Sequence, residues 1–149
     1  MSIYFKLLSI FIFLSVTACT QTENKQNNAT EESNAQVEKT KAEVKEITVS
    51  EFQKLMQNDK AVVVDVREPM ELAEIGFIEN SINVPAYKLA SLWKEKVNAD
   101  KDAIILTYCL SGYRSGVAAE ELIEMGYTNV YSLRGGIGAW INSNLPVVK

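Results

Sequence analysis

Ala103-Ile-Ile-Leu-Thr-Tyr-Cys109-Leu-Ser-Gly-Tyr-Arg-Ser115 decides the fold of this chain. Its first six residues form an apolar run without alternation, as expected of a strand buried on both faces, and hence of a parallel sheet. From Ser115 to Met125 the pattern turns helical. Ala118, Leu122 and Met125 share a face, and Gly126 stands where a left-handed residue would end the helix. A strand, a tight loop and a helix in this order place Cys109 at the carboxyl end of a strand, where sheets of this class bind their ligands.

Reading outward from that loop, the same alternation of strand and helix recurs. On the N-terminal side, Ser50 with Gln53 suggests a capping box, and Phe52, Leu55 and Met56 fall on one helical face. Ala61 to Val66 is a second β-branched run. Glu68 to Ile75 reads as a short helix that tolerates Pro69 in its first turn. Ser81 to Val84 is a short strand stopped by Pro85, and Tyr87 to Trp93 is helical. On the C-terminal side, Asn129 to Ser132 is a strand and Ile137 to Asn142 a last helix. These elements make an α/β domain with a mainly parallel sheet over residues 47–149, long enough for one hydrophobic core.

Composition narrows the chemistry. The 149 residues include no His, which excludes Ser-His-Asp and Cys-His catalysis and imidazole-ligated zinc. Two cysteines, Cys19 and Cys109, are too few for a disulfide framework or a thiolate metal site, so no metal or cofactor is expected. A net charge of -4 argues against a nucleic-acid partner. Only three of the 15 basic residues are Arg. Arg67, Arg114 and Arg134 all fall in strand-to-helix connections, where a planar guanidinium suits an oxyanion. Arg67 and Arg134 have an alternative use, fixing their loops through carboxylates such as Asp65 and Glu68.

Cys109 reads as a nucleophile. Amides of a tight loop converge there, the helix N-terminus adds positive potential, Gly112 gives the loop freedom, and Arg114 favours a thiolate. A thiolate needs no general base. The alternative is a buried, inert Cys at the end of a strand. The reading adopted expects an exposed thiolate liable to over-oxidation.

Asp65-Val66-Arg67-Glu68, Gly76-Phe77-Ile78, Ser81-Ile82-Asn83-Val84-Pro85, the Cys109-to-Arg114 loop and Gly135-Gly136-Ile137-Gly138-Ala139-Trp140 occur in this order. Together they resemble the single-domain rhodaneses. The resemblance implies a five-stranded parallel sheet flanked by helices, and a Cys that carries sulfane sulfur as a persulfide. Carried over by position, Cys109 is the sulfur acceptor, the backbone of Leu110, Ser111, Gly112, Tyr113 and Ser115 cradles the persulfide, and Arg114 binds the anionic end of the donor. Arg67 is a further candidate for substrate binding. Two departures stand out: Phe77 replaces a usual His of structural character, and Leu110 replaces a frequent Arg or polar residue. The expected reaction moves sulfur from a donor such as thiosulfate to cyanide or a thiol. The competing readings are a non-catalytic rhodanese-like binding module and a Cys-Arg phosphatase or arsenate reductase. Against the last, the loop holds four residues between Cys109 and Arg114 where such enzymes hold five, a space suited to one sulfur atom.

The first 46 residues are unlike the rest. Lys6 precedes an apolar run, Leu7 to Val16, too short to span a bilayer and of signal-peptide length. Val16-Thr17-Ala18-Cys19 resembles a bacterial lipobox. That resemblance implies removal of residues 1–18, a lipid on Cys19 and an exported protein anchored to a membrane, facing the periplasm or the cell exterior. Thr20 in place of Asp leans toward an outer membrane. Thr20 to Glu46 lacks Gly, Pro and aromatic residues and reads as a flexible tether. With Cys19 acylated, Cys109 is the sole thiol, so its acceptor comes from outside as a small nucleophile or an exported protein thiol.

Overall fold

The computed structural model describes residues 43–149. The signal peptide and the lipidation of Cys19 expected from the sequence, and residues 20–42 of the expected tether, lie outside them. Strands β1 (Lys45–Ile47), β2 (Ala61–Asp65), β3 (Ile82–Asn83), β4 (Ile104–Tyr108) and β5 (Asn129–Leu133) form one sheet in the order β1-β5-β4-β2-β3. Every pairing is parallel. The helices are α1 (Val49–Met56), α2 (Pro69–Ile75), α3 (Leu89–Lys96), α4 (Tyr113–Glu124) and α5 (Gly136–Asn142), with a 3-10 turn at Ala86–Lys88 before α3.

Side chains alternate across the strands and feed two cores. Val64, Ile105 and Val130 pack with Leu89 and Trp93 of α3 and Ala118 and Leu122 of α4. Val63, Leu106, Tyr108 and Leu133 pack with Phe52 of α1 and Ile137 and Trp140 of α5. Helices therefore cover both faces, which explains the unbroken apolar runs of β2 and β4. The expected five-stranded α/β sheet is present.

Local boundaries differ: β3 keeps only Ile82–Asn83, α4 begins at Tyr113 rather than Ser115, and three further differences have a clear cause. Lys45 and Glu46, assigned by composition to the tether, pair with Tyr131 and Ser132 as an edge strand. Pairing with β5 supplies the order that three mostly polar residues lack by themselves. The capping box is Thr48 with Glu51 rather than Ser50 with Gln53: the Thr48 amide donates to the Glu51 carboxylate at 2.8 Å, and the Glu51 amide donates back to Thr48 Oγ1 at 3.3 Å. An ionised acceptor makes the stronger cap. The helix expected from Tyr87 begins as a 3-10 turn, and its α part runs to Lys96, with Trp93 buried and its Nε1 donating to Tyr127 Oη at 2.6 Å.

Candidate active site: the Cys109 loop

β4 delivers Cys109 to the carboxyl end of the sheet, and the chain turns at once into α4. Gly112 is the N-cap of α4 at φ +100, a conformation that favours glycine, and a Cβ there would lie 3.2 Å from the Gly135 nitrogen. The turn brings the Gly112 amide to 3.1 Å from Cys109 Sγ. The buried Ser115 hydroxyl lies 3.7 Å from the same sulfur. Burial pushes the Cys109 thiol up, but the Ser115 amide and hydroxyl with the Ser111 and Gly112 amides together outweigh it and hold the thiol below its ordinary value. Of the expected cradle, Ser111, Gly112 and Ser115 act on the sulfur, while the side chains of Leu110 and Tyr113 are exposed, 43% and 78%.

A second layer holds the cradle from behind. The amide of Ile137 donates to the Cys109 carbonyl at 2.8 Å, and that of Gly138 to the Leu110 carbonyl at 3.1 Å. Gly136, at φ +57, sits so close that a Cβ would collide with the Cys109 carbonyl oxygen and stand 2.7 Å from Leu110 backbone. The Gly135-Gly136 pair therefore permits the last helix to press its first turn against the loop. Below, Ser115 and Ser132 hydroxyls meet at 2.9 Å, Ser115 Oγ reaches the Gly112 carbonyl at 3.0 Å, and Thr107 Oγ1 donates to the Ser115 carbonyl at 3.1 Å. Ser115 has one hydroxyl proton. With Ser132 donating to it, that proton serves the Gly112 carbonyl and the sulfur. Thr107 and Ser132 were not singled out by sequence reasoning. Their signal was polar side chains within otherwise apolar strands.

Cys109 is not the exposed thiolate expected: the residue is 1% exposed. It lies on the floor of the loop because its own amides and Ser115 close around the sulfur. Around it, Leu110, Ser111 and Tyr113 are exposed.

The three arginines part company. Arg114 stands in the first turn of α4 rather than in a loop, and its two terminal nitrogens each donate to the Glu71 carboxylate at 2.7 Å. Glu71 first, and the Cys109 sulfur to a lesser degree, raise the basicity of Arg114. Arg114 thus remains a candidate for the donor's anionic end. Arg67 does not: it is fully buried, donates from Nε and Nη2 to Asp65 at 2.6–3.0 Å, and gives Nη2 to the Gly76 carbonyl at 2.7 Å. Its fork is spent on fixing the β2–α2 connection, so the substrate-binding role expected for it is corrected to a structural one. Arg134 is exposed, and its Nε lies 3.7 Å from Glu46. Phe77, in place of the usual His, pairs by backbone with Val148 in an antiparallel bridge, N to O at 2.9 Å in both directions.

A buried strand-end cysteine ringed by amides, an arginine on the following helix turn and a five-stranded parallel sheet form the setting in which known proteins can be compared. The family model described as Rhodanese-like domain matches residues 48–143. The chain belongs to the rhodanese-like family. A sulfurtransferase of Allochromatium vinosum is 38% identical over 96 residues, 64% of this chain and 86% of the relative. The thiosulfate sulfurtransferase GlpE of Vibrio cholerae is 30% identical over 101 residues, 68% of this chain and 92% of the relative. Among solved structures, a rhodanese-related protein of Thermoplasma volcanium superposes with TM-score 0.60 at 36% identity, covering 70% of this chain and 97% of that one. These rhodanese relatives fit the fold read from the sequence.

Proposed function

We propose that the protein is a sulfurtransferase that carries sulfane sulfur on Cys109. The Cys109 thiolate attacks the outer sulfur of a donor such as thiosulfate. A new S–S bond forms, the donor's own S–S bond breaks, and its electron pair leaves with sulfite. The Cys109 persulfide keeps the negative charge, which the amides around the sulfur stabilise. A thiophile such as cyanide or a thiol then attacks the outer sulfur, and the electron pair of the broken S–S bond returns to Cys109 as thiolate. No base, metal or oxidant is required, in keeping with a chain that has no His. The observation that carries this reading is the Gly112 amide 3.1 Å from a sulfur held below its ordinary pKa. The relatives named as sulfurtransferases support it.

The test is thiocyanate formation from thiosulfate and cyanide by the domain of residues 43–149, with ping-pong kinetics expected. Thiocyanate no greater than that of Cys109→Ser refutes the reading. Burial of Cys109 favours one rival, a binding module that does no chemistry. Mass spectrometry after thiosulfate treatment separates the two, since a gain of one sulfur on Cys109 belongs to the enzyme alone.

The same proposal extends to place. Cleavage before Cys19, a lipid on its sulfur and export would set the domain on a bacterial membrane surface, facing the periplasm or the exterior. Its acceptor would then be an external small nucleophile or an exported protein thiol. Metabolic labelling with a palmitate analogue, lost in Cys19→Ser, is the expected result.

A further inference from the structure

Arg114 does not meet a donor as a free cation. Its Nη1 and Nη2 each donate to Glu71 at 2.7 Å, in the planar two-handed geometry that binds guanidinium to carboxylate most tightly. Glu71 is itself held in place. Its carboxylate takes the Glu68 amide at 2.9 Å as the capping contact of α2, and that helix starts from the β2–α2 connection fixed by the buried Arg67–Asp65 pair. The pair is partly buried, with 23% of the Glu71 side chain exposed and 35% of Arg114. Water therefore screens it less than a surface pair.

The charges around the nucleophile can be counted. A Cys109 thiolate carries -1, Arg114 +1 and Glu71 -1, while Arg67 and Asp65 cancel. This bonded set carries a net negative charge, where Cys109 and Arg114 alone would be neutral. Repulsion from such a site grows with the charge of what approaches. Thiosulfate is a dianion at neutral pH. An organic thiosulfonate or a hydropersulfide brings one charge at most.

We propose that Glu71 is a specificity-determining residue that sets the donor preference of the Cys109 site toward sulfur donors of low negative charge. The claim rests on the sulfur-transfer reading above and sharpens it by naming the donor class. Glu71 does this by two means: it cancels the charge of Arg114, and it occupies one N–H of each terminal nitrogen. The N–H groups left to a donor are those directed away from Glu71, enough for one oxyanion edge.

Glu71→Gln keeps a side chain of the same size with an oxygen to accept from Arg114, and removes the charge. KM for thiosulfate should fall by roughly threefold to tenfold in this variant, from the effect of one charge a few ångströms away at intermediate dielectric. KM for methanethiosulfonate, a monoanion with the same kind of outer sulfur, should fall by about the square root of that factor, because half the charge is repelled. Both are read with cyanide as acceptor. Glu71→Asp, which keeps the charge, should keep the wild-type ratio between the two donors. A Glu71→Gln ratio equal to wild type, or a raised KM for thiosulfate alone, would overturn the proposal, since a merely structural Glu71 moves both donors together. If Glu71→Gln does not fold, the wild type supplies the test. Added salt should improve kcat/KM for thiosulfate more than for methanethiosulfonate, and the opposite order overturns the proposal. Failure of the underlying reading looks different: no thiocyanate from either donor and no sulfur gained on Cys109.

Discussion

Arg67 and Arg114 each grip a carboxylate with two nitrogens, Arg67 through Nε and Nη2 and Arg114 through Nη1 and Nη2, yet one pair is walled into the protein and the other borders Cys109. Arg67 and Asp65 are both fully buried, and the guanidinium also serves the Gly76 carbonyl, so every edge of the pair is committed. Arg114 is about a third exposed beside Cys109 and spends only part of its donors on Glu71. Both follow strands of one sheet. What separates them is that Arg67 folds back onto the strand it left, whereas Arg114 rides on the helix that begins after the cysteine loop. An arginine whose own strand offers a carboxylate two residues before is thus drawn back onto that strand.

The contrast can be broken experimentally. The largest effect belongs to Cys109→Ser, which should lower thiocyanate formation to background while leaving the thermal unfolding midpoint nearly unchanged, since the two side chains differ by one atom. Next comes the inner pair. Asp65→Ala leaves a buried guanidinium without its partner and should cost about 3–5 kcal/mol in urea unfolding. Replacing both members by apolar residues, Asp65→Leu with Arg67→Met, should recover much of that loss. The outer pair should behave the other way round. Arg114→Ala should reduce kcat/KM for an anionic donor by about tenfold to a hundredfold, the loss expected for one charge-assisted contact, with a far smaller change in stability than Asp65→Ala. Equal stability losses at the two sites would erase the distinction.

Two smaller effects sharpen it further. The Cys109 thiol is held below its ordinary value, so alkylation by iodoacetamide should fall away only when the pH drops below that of a free cysteine; Ser115→Ala should move the midpoint upward. Glu71 is held at about 2 by Arg114 against an ordinary 4.5. Its folded pKa lies below its unfolded one, so its contribution to stability is whole above pH 4.5 and is lost as pH falls toward about 2. The acid limb of the unfolding curve should therefore be shallower in Glu71→Gln over that window.

Much of this was legible in the chain. The unbroken runs Ala61 to Val66 and Ala103 to Tyr108 carried the signal of a parallel sheet because both of their faces are covered. Cys109, Gly112 and Ser115 were found because a strand, a glycine and a helix start at fixed spacing leave little choice of geometry. Glu71 was missed as a partner of Arg114 because 43 residues separate them, and only the folded sheet brings α2 beside α4. Arg67 was left between a loop-fixing and a substrate-binding use because a side chain that bonds two residues back carries the same local pattern as one that reaches out; its bonds to Asp65 bear out the first. The edge strand Lys45–Ile47 escaped notice because its order comes from β5, not from its own composition.

The first turn of α5 leaves no room for anything but hydrogen behind the Cys109 carbonyl. The backbone that carries the sulfur cradle is therefore braced from behind by residues 135–138. Any side chain at position 136 would push that turn away and leave the Cys109 and Leu110 carbonyls without their donors.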